Sequence, residues 1–247
     1  MTMPRIHLLT KKEDIIPEKL THHTVIVIDT LLATTTMAML LEHGARSVVP
    51  VQRKEEALTA ANNAHLIIAG EQLGFDTEGM KRPDPYQLIN EGVQDKEIVL
   101  LSTNGTVALK QSQKGKYIYA VSPFTVQAAA NIVSEKHSHE SMIIVCSGNH
   151  GRFSLEDFIT AGHFLSVFLE NKNNASWELS DGSIAAYSLY QHTPLNEVRN
   201  MYATSETASF LHRYGYHPIW DSFTQGIHYP FVPQLIHGKI LKKHVTI

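Results

Sequence analysis

The sequence of 247 residues predicts an α/β protein, a three-layer α/β/α arrangement around a mainly parallel or mixed sheet. Three observations carry this expectation. Apolar runs of strand length alternate with longer amphipathic stretches, the alternation holds from residue 25 to residue 168, and polar residues follow directly on the ends of the apolar runs. Such alternation builds strand–helix–strand units whose crossover helices cover both faces of a parallel sheet.

The elements follow in order. Val25 to Asp29 is a continuous apolar run closed by a carboxylate and reads as a buried strand. Thr35 to Gly44 reads as a helix ending at a glycine, and Ser47 to Val51 as the next strand. Glu55 to Ala64 is expected helical and His65 to Ala69 extended. Gly70 to Gly92, broken by glycines and prolines, reads as a long loop, the kind that often carries function. Strands are then expected at Lys96 to Ser102, Tyr117 to Ala120 and Met142 to Cys146, with helices at Gly105 to Ser112, Thr125 to Val133 and Leu155 to Phe168. Lys172 to Ser176 reads as a polar surface turn, the stretch from there to Gly215 as helical, and the tail from Trp220 to Ile247 as irregular with one late strand around His237 to Leu241. The whole of residues 1–247 is taken as one domain, compatible with two intertwined halves of about 1–140 and 141–247.

Composition narrows the partners. With 43% hydrophobic and 18% charged residues the chain is an ordinary globule, and its net charge of −3 supplies no broad positive field for nucleic acid or anionic lipid. A small anionic metabolite, gripped by a local site, is the expected partner, and a homo-oligomer stays open. The longest apolar runs fall far below the ~18 residues of a transmembrane helix, and the N-terminus shows no secretory h-region. A single cysteine, Cys146, excludes an internal disulfide and any multi-cysteine metal site, and the 15 histidines show no zinc spacing. A cytoplasmic location is the expectation.

Ligands of open α/β sheets sit beyond the carboxyl ends of the strands, so polar strand ends are the place to look for chemistry. The first is Asp29 with Thr34, Thr35 and Thr36 opening the next helix. Hydroxyls and free amides at a helix start suit an anion, although a threonine there is equally a plain cap. The second is Glu71 between Gly70 and Gly74, and the third is Asn104-Gly105-Thr106, a turn whose amides suit phosphate and whose Asn-Gly pair also suits an ordinary turn. The fourth runs from Cys146 to Asp157. Ser154 is its expected helix cap, Glu156 and Asp157 lie in the first turn where acids favour the helix dipole, and Arg152 precedes the cap. An arginine there offers a planar fork for phosphate, sulfonate or carboxylate. Asp181, in the turn Leu179 to Gly182, reads as a helix cap or a further acid, and Cys146 as an inert core thiol.

In this order the segments resemble the 2-phosphosulfolactate phosphatase (ComB-like) family. The strongest match is Gly151-Arg152-Phe153-Ser154-Leu155-Glu156-Asp157 followed by Ala161-Gly162; the segment opened by Asp29, the Glu71 loop, the Thr103-Asn104-Gly105-Thr106 turn and the Leu179-Ser180-Asp181 turn complete it. The resemblance implies an α/β/α fold and magnesium-dependent hydrolysis of a phosphate ester on a small sulfonated, lactate-like acid. It implies catalytic roles for Asp29, Glu71, Arg152 and Asp157, metal ligation by carboxylates drawn from Asp29, Glu71, Glu156, Asp157 and Asp181, and anion binding by Thr34, Thr35, Thr36, Asn104, Gly105, Thr106 and Ser154 alongside Arg152. Departures accompany it: Leu32 and Gln72 stand where the family pattern has arginines, Lys81 and Arg82 fall in an altered segment, and Thr207-Ala208 stands where a His-Gly pair is expected. Two readings therefore stand at this point, a divergent magnesium-dependent phosphatase and a catalytically weakened relative that binds a small phosphate- or sulfonate-bearing metabolite.

Overall fold

A computed structural model describes residues 3–59, 66–171 and 177–245. Among the described residues eleven strands form one mixed sheet. One parallel group comprises β1 (Arg5–Leu9), β2 (Thr24–Ile28), β7 (Tyr117–Val121), β8 (Met142–Cys146) and β9 (Glu178–Leu179), in the order β7-β2-β8-β1-β9. A second comprises β3 (Ser47–Val51), β6 (Glu97–Leu101) and β4 (Leu66–Gln72), extended by the short antiparallel β5 (Phe75–Asp76). Between the groups lies an antiparallel hairpin, β10 (Phe231–Ile236) and β11 (Lys239–His244), which pairs with β7 on one side and β3 on the other.

The central strands are apolar without interruption because both faces are covered. All five residues of Thr24–Ile28 and of Met142–Cys146 are buried. On one face Ile26, Ile28, Ile144 and Val121 pack against α5 (Val126–Lys136), α6 (Leu155–Glu170) and α7 (Asp181–His192). On the other, Val25, Val27, Ile98, Leu100 and Phe231 enclose α1 (Ala33–Glu42) and α4 (Gly105–Gln111), so the two strand groups share a core built around these helices. The outer face of the β3–β6–β4 group is closed by α2 (Lys54–Thr59) through Ala57. Each such buried Val, Ile or Leu contributes about 1.5–3 kcal/mol. Five steps of the sheet separate β6 from β2. Sheet twist accumulates over these steps, and Gly105, which opens α4 after β6, lies against Asp29, which follows β2.

The expected α/β class and its core strands are present, with differences at the edges. Arg5–Leu9 forms a strand where none was expected. The tail supplies a complete hairpin at the centre of the sheet rather than one strand in an irregular segment. Gly70 to Gly92 is no structureless loop: it completes β4, turns into β5 and contains α3 (Pro85–Asn90), capped by Asp84. The helical expectation up to Gly215 is met from Asp181 on by α7, α8 (Leu195–Thr204) and α9 (Glu206–Arg213), while Glu178–Leu179 is the edge strand β9 instead. The turn at Lys172 to Ser176 and the stretch from residue 60 to His65 lie outside the described residues. Among the described residues no helix is long and apolar enough to cross a membrane.

Candidate active site

The carboxyl ends of β2, β4 and β6, the loop after β8, and α9 surround a cavity of about 590 Å³. Asp29, Thr36, Glu71, Asn104 and Arg152, all anticipated, line it. Asp29 ends β2 and is buried, with its carboxylate against the amides that open two helices: Ala33 N–H of α1 lies 3.4 Å from Oδ1, and the Gly105 amide of α4 also donates to the group. Burial, reinforced by the charges of Glu71 and Glu156, pushes its pKa up to about 7, against the pull of the two amides.

Glu71 is fixed rather than free. Its Oε1 accepts from Thr103 N at 2.6 Å, while Oε2 accepts from Thr103 Oγ at 2.9 Å and from Gly74 N at 2.6 Å. The β4–β5 turn, with Gly74 in the left-handed region at φ 84°, brings that last amide round. Arg152 stands at the mouth, paired at 3.1 Å with Glu206 of α9.

Several expected site residues have other partners. Asp157 is buried behind the cavity rather than lining it, its Oδ1 accepting from Thr30 N at 2.8 Å and its Oδ2 from Gly148 N at 3.1 Å. It therefore fastens the loop after β2 to the loop after β8. Burial first, then the charges of Asp29 and Glu156, raise its pKa well above the usual carboxylate range. Glu156 is likewise buried and outside the lining. Asp181 is exposed in the first turn of α7, away from the cavity, and the cap of that helix is Ser180. The hydroxyls of Thr34 and Thr35 do not face a ligand: Thr34 Oγ donates to Asp29 O and Val121 O, and Thr35 Oγ to Thr30 O. Thr106 ties back to Ser102, and Ser154 caps α6 by accepting from Asp157 N at 3.2 Å. These groups build the loops that hold the site. Lys81 and Arg82 pair with Glu91 and Asp76. Leu32 belongs to an apolar wall completed by Leu31, Phe210, Leu211 and Tyr216. Cys146 is buried, and desolvation raises its thiol pKa, as an inert core thiol requires.

Sequence reasoning touched α9 only through the departure at Thr207-Ala208, of which Thr207 lines the cavity, and it missed Glu206, Phe210 and Arg213 on the same helix. It also missed Asn149 and His150. Loop compression there was signalled by Gly148 and Gly151, both of which have positive φ, at 73° and 76°.

Among the described residues no three His, Cys, Asp or Glu side chains form a ready metal cage. Magnesium does not need one, since it is usually held through one or two carboxylates together with waters and a substrate phosphate. Asp29 and Glu71 fit that description: both line the cavity, and the charged neighbours that raise the Asp29 pKa are carboxylates, so a cation there would relieve a repulsion the fold has built in.

Comparison with known proteins gives a consistent result. A family model described as 2-phosphosulpholactate phosphatase matches residues 10–235. A probable 2-phosphosulfolactate phosphatase of Clostridium novyi (strain NT) is 33% identical over 189 residues, covering 75% of this chain and 78% of the relative. Another so named, from Thermotoga maritima, is 31% identical over 221 residues, covering 89% and 92%.

Proposed function

The chain belongs to the 2-phosphosulpholactate phosphatase family, a family of phosphoric monoester hydrolases, and from that premise we propose that its cavity hydrolyses the phosphate ester of a small acid with the help of magnesium held by Asp29 and Glu71. The relatives' names make 2-phosphosulfolactate the first substrate to consider, with sulfolactate and phosphate as products.

The observation that carries the reading is the Asp29 carboxylate, buried at the cavity wall beside Glu71, its charge opposed by its neighbours. When bound, magnesium would offset phosphate charge and lower the pKa of a coordinated water. The chain's own groups do the rest. Arg152, exposed at the mouth, presents a guanidinium whose fork suits two oxygens of an incoming anion. Asn104 offers amide donors from beside the His150 loop, and the apolar wall of Leu31, Leu32 and Phe210 limits water around the ester. Thr103 and Gly74 hold Glu71 in one orientation, so it need not reorganise when substrate arrives. A small anionic metabolite is thus the partner, and a reducing, cytoplasmic setting suits the lone buried thiol.

Release of inorganic phosphate from phosphosulfolactate and from a panel of phosphate monoesters, with magnesium and with EDTA, tests this reading. Metal-dependent turnover is expected. If no ester is hydrolysed while phosphate or sulfolactate still raises the melting temperature, the binding-protein reading replaces it.

A further inference from the structure

Lys12 begins a single turn of 3-10 helix, Lys12–Asp14, that follows β1, and its backbone amide is tied to Ser147 O at 3.2 Å. Its side chain is only 9% exposed. A buried ammonium is costly unless its donors are used, and two of them are: Nζ donates to Glu13 Oε1 at 2.7 Å and to Asn104 Oδ1 at 2.8 Å. Burial would raise the Glu13 pKa, but the hydrogen bond and charge of Lys12 bring it below the ordinary carboxylate value.

The second contact matters for the cavity. Asn104 Oδ1 also accepts from His150 N, at 3.4 Å, across the loop in which His150 adopts a left-handed φ of 50°. With two donors converging on that oxygen, the carboxamide has one permitted orientation. Turning it over would set its NH₂ against an ammonium and an N–H. Among the described residues no acceptor pairs with Asn104 Nδ2, and Asn104 lines the cavity. An ammonium on the amide oxygen also polarises the group, making its N–H bonds better donors.

We propose that Lys12 is a positioning residue of the anion subsite: from behind the wall it locks Asn104 with both Nδ2 hydrogens available to a phosphoryl oxygen. Lys12 acts through Asn104 and His150 anchors the same oxygen. The role rests on the phosphatase reading for its substrate, though anion binding alone reveals it.

The experiment measures the affinity of inorganic phosphate, with magnesium present, by calorimetry on the wild type, Lys12→Met, Asn104→Ala and the double variant, with KM and kcat alongside. Lys12→Met and Asn104→Ala should each weaken phosphate about tenfold, raising KM more than they lower kcat. The double variant should bind no more weakly than Asn104→Ala alone, because the lysine acts through the asparagine. Lys12→Arg, which keeps charge and donors, should restore most of the affinity. If Lys12→Met does not fold, Lys12→Gln replaces it, with the same direction expected. Wild-type affinity in the Lys12 variant, losses that multiply in the double variant, or no phosphate binding by the wild type would each overturn the assignment. Phosphate bound in the expected pattern without hydrolysis of any ester sinks the phosphatase reading instead and leaves Lys12 its role.

Discussion

Gly105 and Asp29 stand so close that a Cβ on residue 105 would lie 2.4 Å from Asp29 Oδ2 and 2.7 Å from the Ala33 methyl. The glycine is therefore what lets the start of α4 meet the end of β2, and the carboxylate proposed to carry the metal is positioned by a missing side chain. Gly105→Ala should push Asp29 off its position. Because misplacement by about 1 Å can cost on the order of 100-fold in rate, phosphate release should fall by about that factor. Overpacking should cost about 1–3 kcal/mol of stability, read from a denaturant midpoint. Unchanged turnover in this variant would mean that Asp29 need not sit where it does.

Asp29→Asn separates function from stability. The amide can still accept from one of the helix-opening N–H groups, yet it removes the charge that Glu71 and Glu156 oppose. In EDTA the variant should melt a few degrees higher than the wild type, since about 1 kcal/mol corresponds to roughly 2–4 °C for a chain of this size. Magnesium-dependent phosphate release should fall by about 1,000-fold or more, the pattern of a site that gives up stability for function. A melting temperature that falls would show that the acid is held by favourable contacts rather than against repulsion.

The parts of the fold and site legible in the sequence are those where one residue type admits one environment. Val25–Ile28 and Met142–Cys146 could only be buried strands, and they lie side by side at the core. Arg5–Leu9 escaped notice because an arginine and a histidine alternate with its apolar residues, and its partial exposure produces that pattern. Lys239–His244 overlaps the late strand expected around His237 to Leu241, but its hairpin partner Phe231–Ile236 and its place in mid-sheet were not legible, because three lysines dilute the apolar signal that Ile240 carries to the core. At the site, acids after apolar runs pointed to Asp29 and Glu71. Composition could not say that Thr34 and Thr35 turn inward to backbone carbonyls, because a hydroxyl suits a ligand and a carbonyl equally. Nor could it place Asp157 behind the cavity, where both its oxygens are taken by amides. Lys12 carries no local signal at all, for its role depends on a contact with Asn104 made through the tertiary fold.

Glu206 holds Arg152 across the cavity mouth at 3.1 Å, with the two side chains 64% and 72% exposed. An ion pair so exposed is worth about 0–1 kcal/mol, so a phosphate group can readily take the carboxylate's place. Glu206→Gln should leave the melting temperature within about a degree. It should tighten inorganic phosphate as a competitive inhibitor by about two- to fivefold, by freeing the guanidinium and removing a negative charge from the wall. Inhibition constants measured at low and high salt would test this, with the gain shrinking as salt screens the charges. Weaker inhibition in the variant would mean that Arg152 does not meet the anion.

His163, partly buried on α6, stacks on Tyr190 of α7 with ring centroids 4.7 Å apart. Burial, with a smaller contribution from the charge of His228, lowers its pKa to about 4 from an ordinary value of 6.5. Between those values the unfolded chain binds a proton that the native protein does not, so stability rises with pH through this window. The stabilisation is therefore complete above about 6.5 and is lost as pH falls toward 4, to a total of about 3 kcal/mol at 1.36 kcal/mol per unit. Between pH 7 and pH 5 the loss through this one group should be about 2 kcal/mol. His163→Phe keeps a ring against Tyr190 but has nothing to protonate, so urea midpoints at the two pH values should lie closer together than in the wild type by that amount. An identical spread in the two proteins would assign the acid sensitivity to other groups.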